Sequence, residues 1–101
     1  MFQGNVGIIL SFNCIDQNQV PLEGIQSAYI YIQRGKTILK RAATVDNIEK
    51  KINYKIQEGD LTESTNYIFQ PEVETIDGAI LTGSAIEEFV DKPLSAIYEE
   101  G

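Results

Sequence analysis

Glu58-Gly59-Asp60-Leu61-Thr62-Glu63-Ser64-Thr65-Asn66-Tyr67-Ile68-Phe69-Gln70-Pro71-Glu72-Val73-Glu74-Thr75-Ile76-Asp77-Gly78-Ala79-Ile80-Leu81 is the stretch on which the fold turns. From Tyr67 onward its residues alternate. Tyr67, Phe69 and Val73 share one parity and Gln70, Glu72 and Glu74 the other, which is the period of a half-buried strand. Asp77-Gly78 follows at once, and Asp-Gly is the two-residue signal of a type I′ hairpin. The stretch reads as a strand, a tight turn and a returning strand.

The same alternation extends outward on both sides. After a short lead-in from Met1 to Asn5, residues Val6, Ile8, Leu10 and Phe12 face one way, with Gly7, Ile9, Ser11 and Asn13 opposite. Ile9 hints that the second face is partly covered. Asp16-Gln17-Asn18-Gln19 is a turn, and Val20-Pro21-Leu22-Glu23-Gly24 reads as a loop crossing between sheets, with Gly24 at an unusual backbone angle. Ile25 to Gln33 follows as a central strand, with Ala28, Ile30 and Ile32 against Tyr29, Tyr31 and Gln33. Arg34-Gly35-Lys36 turns the chain. Thr37 to Val45 returns, with Leu39, Ala43 and Val45 inward. Arg41 shares that inward parity, so a bulge or an edge position is expected there. Asp46-Asn47 turns again, and Ile48 to Ile56 is a strand with Ile52, Tyr54 and Ile56 on one face.

Leu61 to Ser64 reads as one helical turn capped by Thr62. Tyr67, at the start of the next strand after a crossing loop that opens Gly-Asp-Leu, stands where Greek-key sandwiches place a tyrosine corner. In that corner the phenol bonds back to the loop and pins the crossover. Asn66 suits a left-handed angle just before it. After the hairpin, Ala79 to Ser84 pairs back with a kink at Gly83, and Ala85 to Val90 is a last strand. Six to seven strands at this spacing give an all-β antiparallel sandwich over residues 1–90. Residues 91–101 form a C-terminal tail, whose apolar Ile97 and Tyr98 suit docking or the start of a helix.

The 101 residues suffice for one domain, and an apolar fraction of 43% is that of a globular chain. Net charge is −7 and His is absent, so sequence-independent nucleic-acid binding is not expected. Arg34, Lys36, Lys40, Arg41, Lys50, Lys51 and Lys55 are seven of the eight bases, whereas eleven acids and one base follow from Glu58 onward. The clustered bases argue against an acidic mimic of nucleic acid. Either these are ordinary solvated faces, or Arg34, Lys36, Lys50 and Lys51 on one side and Glu72 and Glu74 on the other pair head to tail between copies or with a partner. Cys14 is alone, so an intrachain disulfide is impossible; it reads as a small buried hydrophobe. No eighteen-residue apolar run and no charged-then-apolar leader is present, so no membrane association or secretion signal is expected.

Catalysis is not expected. Glu72 and Glu74 share a strand face and Glu87 and Glu88 are adjacent, but without a His or a Trp platform they read as solvated acids. A calcium site from Asp77, Glu74 and nearby carbonyls lacks a loop motif to gather it. Neither metal nor cofactor is expected.

Taken together, Phe12-x-x-x-Asp16, Pro21-Leu22-x-Gly24, the Gly35-Lys36 turn, the Ala-rich strand after it, Gly59-Asp60-Leu61, Tyr67 with its alternating strand, and Asp77-Gly78 carry a resemblance. The chain resembles the N-terminal immunoglobulin-like domain of the baseplate upper proteins of tailed phages and prophages of Gram-positive bacteria, over most of residues 6–90. The resemblance implies an immunoglobulin-like sandwich that docks on other virion subunits, or on itself, in a multi-copy tail or baseplate assembled in the host cytoplasm. It transfers no active-site residue. Two departures stand out: those domains usually carry Gly where this chain has Asn66, and a linker helix and receptor-binding or coiled-coil region normally follow. A fragment, or a small stand-alone virion protein, is the corresponding expectation. The alternative is an Ig-like adhesion module of a larger surface protein.

Overall fold

A computed structural model describes residues 1–14 and 24–97. The turn expected at Asp16–Gln19, the loop up to Glu23 and the last residues of the tail lie outside that range. The strands are β1 (Ile9–Asn13), β2 (Ile25–Arg34), β3 (Thr37–Asp46), β4 (Lys51–Lys55), β5 (Thr65–Thr75), β6 (Ile80–Thr82) and β7 (Ile86–Val90); a single helical turn, α1 (Leu94–Ile97), follows. All strand pairings are antiparallel, in the order β1-β4-β3-β2-β5-β6, with β7 also against β5. The all-β antiparallel class read from the sequence therefore holds.

The two halves meet through β3. Its residues from Thr37 to Ala43 pair with β2, and Thr44 to Asp46 pair with β4. The sheet curls there, so the inward faces of both halves share one core. Ile52, Tyr54 and Ile56 of the β4 region close on Ile30 and Ile32 of β2, Tyr67 and Phe69 of β5, and Val90 of β7. Ile8, Leu10 and Phe12 pack at its margin, as do Leu39, Ala43 and Val45. Burying such side chains stabilises the fold by roughly 1.5–3 kcal/mol each.

Two strand limits differ from the periodic reading. Val6 is 59% exposed and Ile48 94% exposed, because the hydrogen bonds between β1 and β4 begin only at Gly7, which donates to Ile56 O, and at Lys50, whose carbonyl accepts Cys14 N–H. Ile9 is also exposed, so the second face of β1 is bare. The chain before Lys51 is a turn: Asp46 Oδ1 accepts the amides of Ile48 and Glu49 at 3.0 and 3.1 Å. Leu61 to Ser64 forms bends, not a helical turn. Asn66 is extended within β5, opposite Phe89, and among the described residues Lys50 is the non-glycine residue that takes positive φ, at 57°.

The Asp77-Gly78 hairpin forms, with a different turn. Gly78 N–H bonds Thr75 O at 3.0 Å and Thr75 N–H bonds Ala79 O at 2.9 Å. Only Gly78 has positive φ, at 91°, whereas type I′ needs it at both central residues. The loop is the three-residue kind that ends in a left-handed glycine. Gly24 has the expected unusual angle, φ 62°, and its carbonyl accepts Ile76 N–H at 2.8 Å.

β6 and β7 are two halves of one edge strand, and Pro71 is where they part. The Pro71 carbonyl points at that edge and accepts Gly83 N–H at 2.9 Å. An N–H at position 71 would point the same way, and proline has none. Gln70 Nε2 supplies the missing donor to Gly83 O at 3.2 Å. A β-carbon on Gly83 would lie 2.9 Å from Pro71 Cγ. Gly83→Ala is therefore expected to lower stability by about 1 kcal/mol or more through overpacking, with faster amide exchange over 80–90. Unchanged exchange there would show that the edge can shift freely.

Candidate functional site

The crossover from β4 to β5 is organised by a residue to which the sequence reading gave no role. Asp60 is fully buried. Its carboxylate accepts the Tyr54 hydroxyl, Gln57 N–H at 2.9 Å and Arg41 Nε at 3.1 Å. This explains the inward parity of Arg41. The β2–β3 register runs without a shift from Arg34–Thr37 to Ala28–Ala43, so no bulge forms, and Arg41 takes the expected edge position, with β2 on one side of it and, among the described residues, no strand on the other. The guanidinium points inward because a carboxylate waits there. Arg34 braces the same loop, with Nη1 donating to Gly59 O at 2.9 Å and Asp60 O at 3.0 Å. Two oddities of sequence, an inward Arg and an acid between Gly59 and Leu61, were the available signal.

Tyr54 carries the pH signature of this cluster. Burial raises its phenol pKa well above the ordinary 10.0, the hydrogen bond to Asp60 and that group's charge add to the rise, and Arg41 offsets part of it. The neutral phenol is the form the fold prefers. Below pH 10 the folded and unfolded chains both carry the proton, and the contribution is fully present. Above pH 10 the unfolded chain ionises first, so stability falls by about 1.4 kcal/mol per pH unit. Denaturant titrations from pH 9 to 12 on wild type and Tyr54→Phe check this: the phenylalanine variant should have the shallower slope, and equal slopes would remove the assignment.

Tyr67 is fully buried and stacks on Phe69 with ring centroids 6.1 Å apart. Its Oη accepts Glu63 N–H at 3.0 Å, four residues upstream. That is the backward bond to the crossover loop that defines a tyrosine corner. Asp77 accepts the Thr75 hydroxyl, which holds its carboxyl below the ordinary range. It thus serves its own hairpin. Among the described residues no group of three or more metal-ligating side chains is gathered, and no helix is long and apolar enough to cross a membrane. Cys14 is buried, and burial raises its thiol pKa.

The sheet face turned away from the core carries four exposed apolar side chains, Ile38, Ile68, Ile80 and Phe89. Tyr29 and Tyr31 lie on β2, Ile38 and Lys40 on β3, Ile68, Gln70, Glu72 and Glu74 on β5, Ile80 on β6, and Glu87 and Phe89 on β7. Lys40 Nζ sits 4.2 Å from the Tyr29 ring centroid, and Tyr31 Oη donates to Glu72 at 3.3 Å. Tyr31, Ile38, Ile68, Gln70 and Glu72 are among the residues lining a depression of 280 Å³ on this face. Glu72 and Glu74 thus sit together on the open face. The bases do not form one patch. Arg34 and Lys36 lie at the β2–β3 turn and Lys50 and Lys51 at the β3–β4 turn. β3 separates them by ten residues, about 30 Å. Lys51 also pairs with Glu49 at 3.5 Å.

No protein-family model matches the chain, and no curated protein or solved structure is a significant match to it.

Proposed function

We propose that this chain is a non-enzymatic, immunoglobulin-like structural module of a phage or prophage virion, a tail or baseplate component that docks on other virion subunits. The single observation that carries the reading is the tyrosine corner: Glu63 N–H on Tyr67 Oη at the entry to β5. The strand order supports it. β1 beside β4, and β3-β2-β5 followed by the β6–β7 edge, correspond to strands B and E and to strands C′, C, F and G of an immunoglobulin-like sandwich. The corner then falls at the E–F crossover, where that fold places it. The three β3–β4 pairs that join the halves are a departure. The open apolar face with Ile38, Ile68 and Phe89 supports docking, because such residues cluster where a partner covers them.

The test is to purify tailed particles from the bacterium or phage that carries the gene and to identify their proteins by peptide mass spectrometry. The chain should copurify with tail proteins at a fixed stoichiometry. Its absence from intact particles would overturn the virion reading, and its recovery from the surface of cells without particles would favour an adhesion module. Lys50→Glu with Lys51→Glu should reduce incorporation into particles while leaving the unfolding midpoint nearly unchanged; full incorporation would remove these two bases from the docking surface.

A further inference from the structure

Among the described residues the curled sheet leaves the outer side of β1 unpaired and two further edges open, and these two are complementary to each other. One is the outer side of β3 from Thr37 to Ala43, where β2 lies on one side and, among the described residues, no strand on the other. The second is the outer side of β6–β7. There the lead-in segment covers only the end: Asp91 N–H bonds Met1 O and Gln3 N–H bonds Asp91 O, at 3.1 and 2.8 Å. Every residue from Ala79 to Phe89 is exposed. An unpaired edge with exposed apolar side chains is a template for another strand.

Backbone phase can be read for both edges. Arg34 and Thr37 flank a two-residue turn, so they exchange hydrogen bonds with each other. By alternation, Ile38, Lys40 and Ala42 direct their N–H and C=O groups out of the sheet at β3. On β7 the outward bonds of Asp91 mark its phase, so Phe89 and Glu87 direct theirs outward too. Direction agrees as well. β3, β2, β5 and β7 alternate in sense, so β7 of one copy meets β3 of a second, similarly oriented copy antiparallel.

We infer that copies of this chain join head to tail by β-strand addition, the β7 edge of one against the β3 edge of the next, with Glu87 opposite Lys40 and Phe89 opposite Ile38. This register satisfies face, phase and charge at once, in a short ladder of Ile86–Phe89 against Ile38–Arg41, because Met1 and Phe2 hold the outer side of β7 beyond Phe89. All four side chains lie on the outer face, and all four backbones point out of their edges. Ile38 is 62% exposed and Phe89 54% exposed in the single chain, and each covers the other across the junction. Two-fold pairing of β7 with itself sets Glu87 against Glu87 or Phe89, and β3 with itself sets Lys40 against Lys40 or Ile38. Neither brings opposite charges face to face. The junction is heterologous, so it propagates into a ring or filament and does not stop at a dimer. It deepens the assembly reading by naming a second copy as partner, but its geometry does not depend on the virion.

Light scattering over a concentration series at low salt tests it. The wild-type mass should climb past that of a dimer and fall with salt. Lys40→Glu and Glu87→Lys should each weaken association at least tenfold. An equimolar mixture of the two should regain it, because copies that alternate along the assembly then face each other with opposite charges at every junction: the two substituted side chains at one, the native Glu87 and Lys40 at the next. Oxidation of the double variant Ile38→Cys with Phe89→Cys should give a ladder of linked species on a non-reducing gel. Mixed single variants should give dimers only, and each alone none. A wild-type monomer at every concentration, a closed dimer, or a missing ladder in the folded double variant overturns the inference. A ladder from a chain absent from virions would overturn the virion reading and leave the edges standing.

Discussion

Replacing Asp60 with alanine is expected to lower the stability of this protein by roughly 3 kcal/mol, on the order of 15 °C in melting temperature. The Tyr54 hydroxyl and the Gln57 amide both donate to this carboxylate beneath the crossover loop. Each buried donor left without a partner costs about 1–3 kcal/mol. The ion pair adds little, because the Arg41 side chain is 35% exposed and can turn to water. Arg41→Ala should therefore lose only about 1 kcal/mol. Asp60→Asn should fall between, since its amide nitrogen faces a donor whichever way it is turned. Urea unfolding of the three variants measures the order. A loss below about 1 kcal/mol for Asp60→Ala would mean that water reaches the loop and satisfies both donors.

That a buried carboxylate would hold the crossover was not legible in the chain, and the reason is physical. Period-two patterning reports which way a side chain points relative to its neighbours along one strand. It says nothing of what waits on the other side of the core, and Arg41 and Asp60 lie 19 residues apart. What patterning reads well is what it read here. Ala28, Ile30 and Ile32, then Ile52, Tyr54 and Ile56, and Tyr67, Phe69 and Val73 are all buried. It overran where pairing stops, as at Val6 and Ile48, because an apolar residue beyond the last ladder rung keeps the parity but loses the partner strand.

Turn chemistry was legible in place but not in detail. Asp77-Gly78 reverses the chain as expected, yet Thr75 binds Asp77 through its hydroxyl and donates its own N–H to Ala79 O, closing a longer loop in which glycine alone is left-handed. Pro71 was passed over as an ordinary strand residue, although its missing N–H decides where the edge strand breaks. The charge split in sequence was equally misleading as geometry. A run of bases along a hairpin is distributed to both ends of its strand, and of those bases Lys40 is the one placed on the outer face above Tyr29 and Tyr31.

Tyr67→Ala is expected to have the second large effect, a loss of about 3–5 kcal/mol, because a fully buried ring leaves a cavity that a curled sheet fills poorly. Tyr67→Phe separates the ring from the corner. Phenylalanine keeps the stacking on Phe69 and removes only the acceptor of Glu63 N–H, so the loss should be about 1 kcal/mol. Its readout is local. The Glu63 amide, protected in wild type by the phenol oxygen, should exchange many times faster in Tyr67→Phe, while amides of β2 and β5 keep their protection in proportion to the small change in global stability. Glu63 itself is exposed, so water replaces the lost acceptor and the chain still folds. If Glu63 exchange is unchanged in Tyr67→Phe, the hydroxyl does not pin the crossover, and Tyr67 is a core aromatic whose oxygen happens to reach the loop. The strand order would then be left to support the immunoglobulin-like reading without the corner. If exchange rises at Glu63 while the ring substitution to alanine unfolds the domain, the residue holds core and crossover together, which is the double role the corner has in sandwiches of this order.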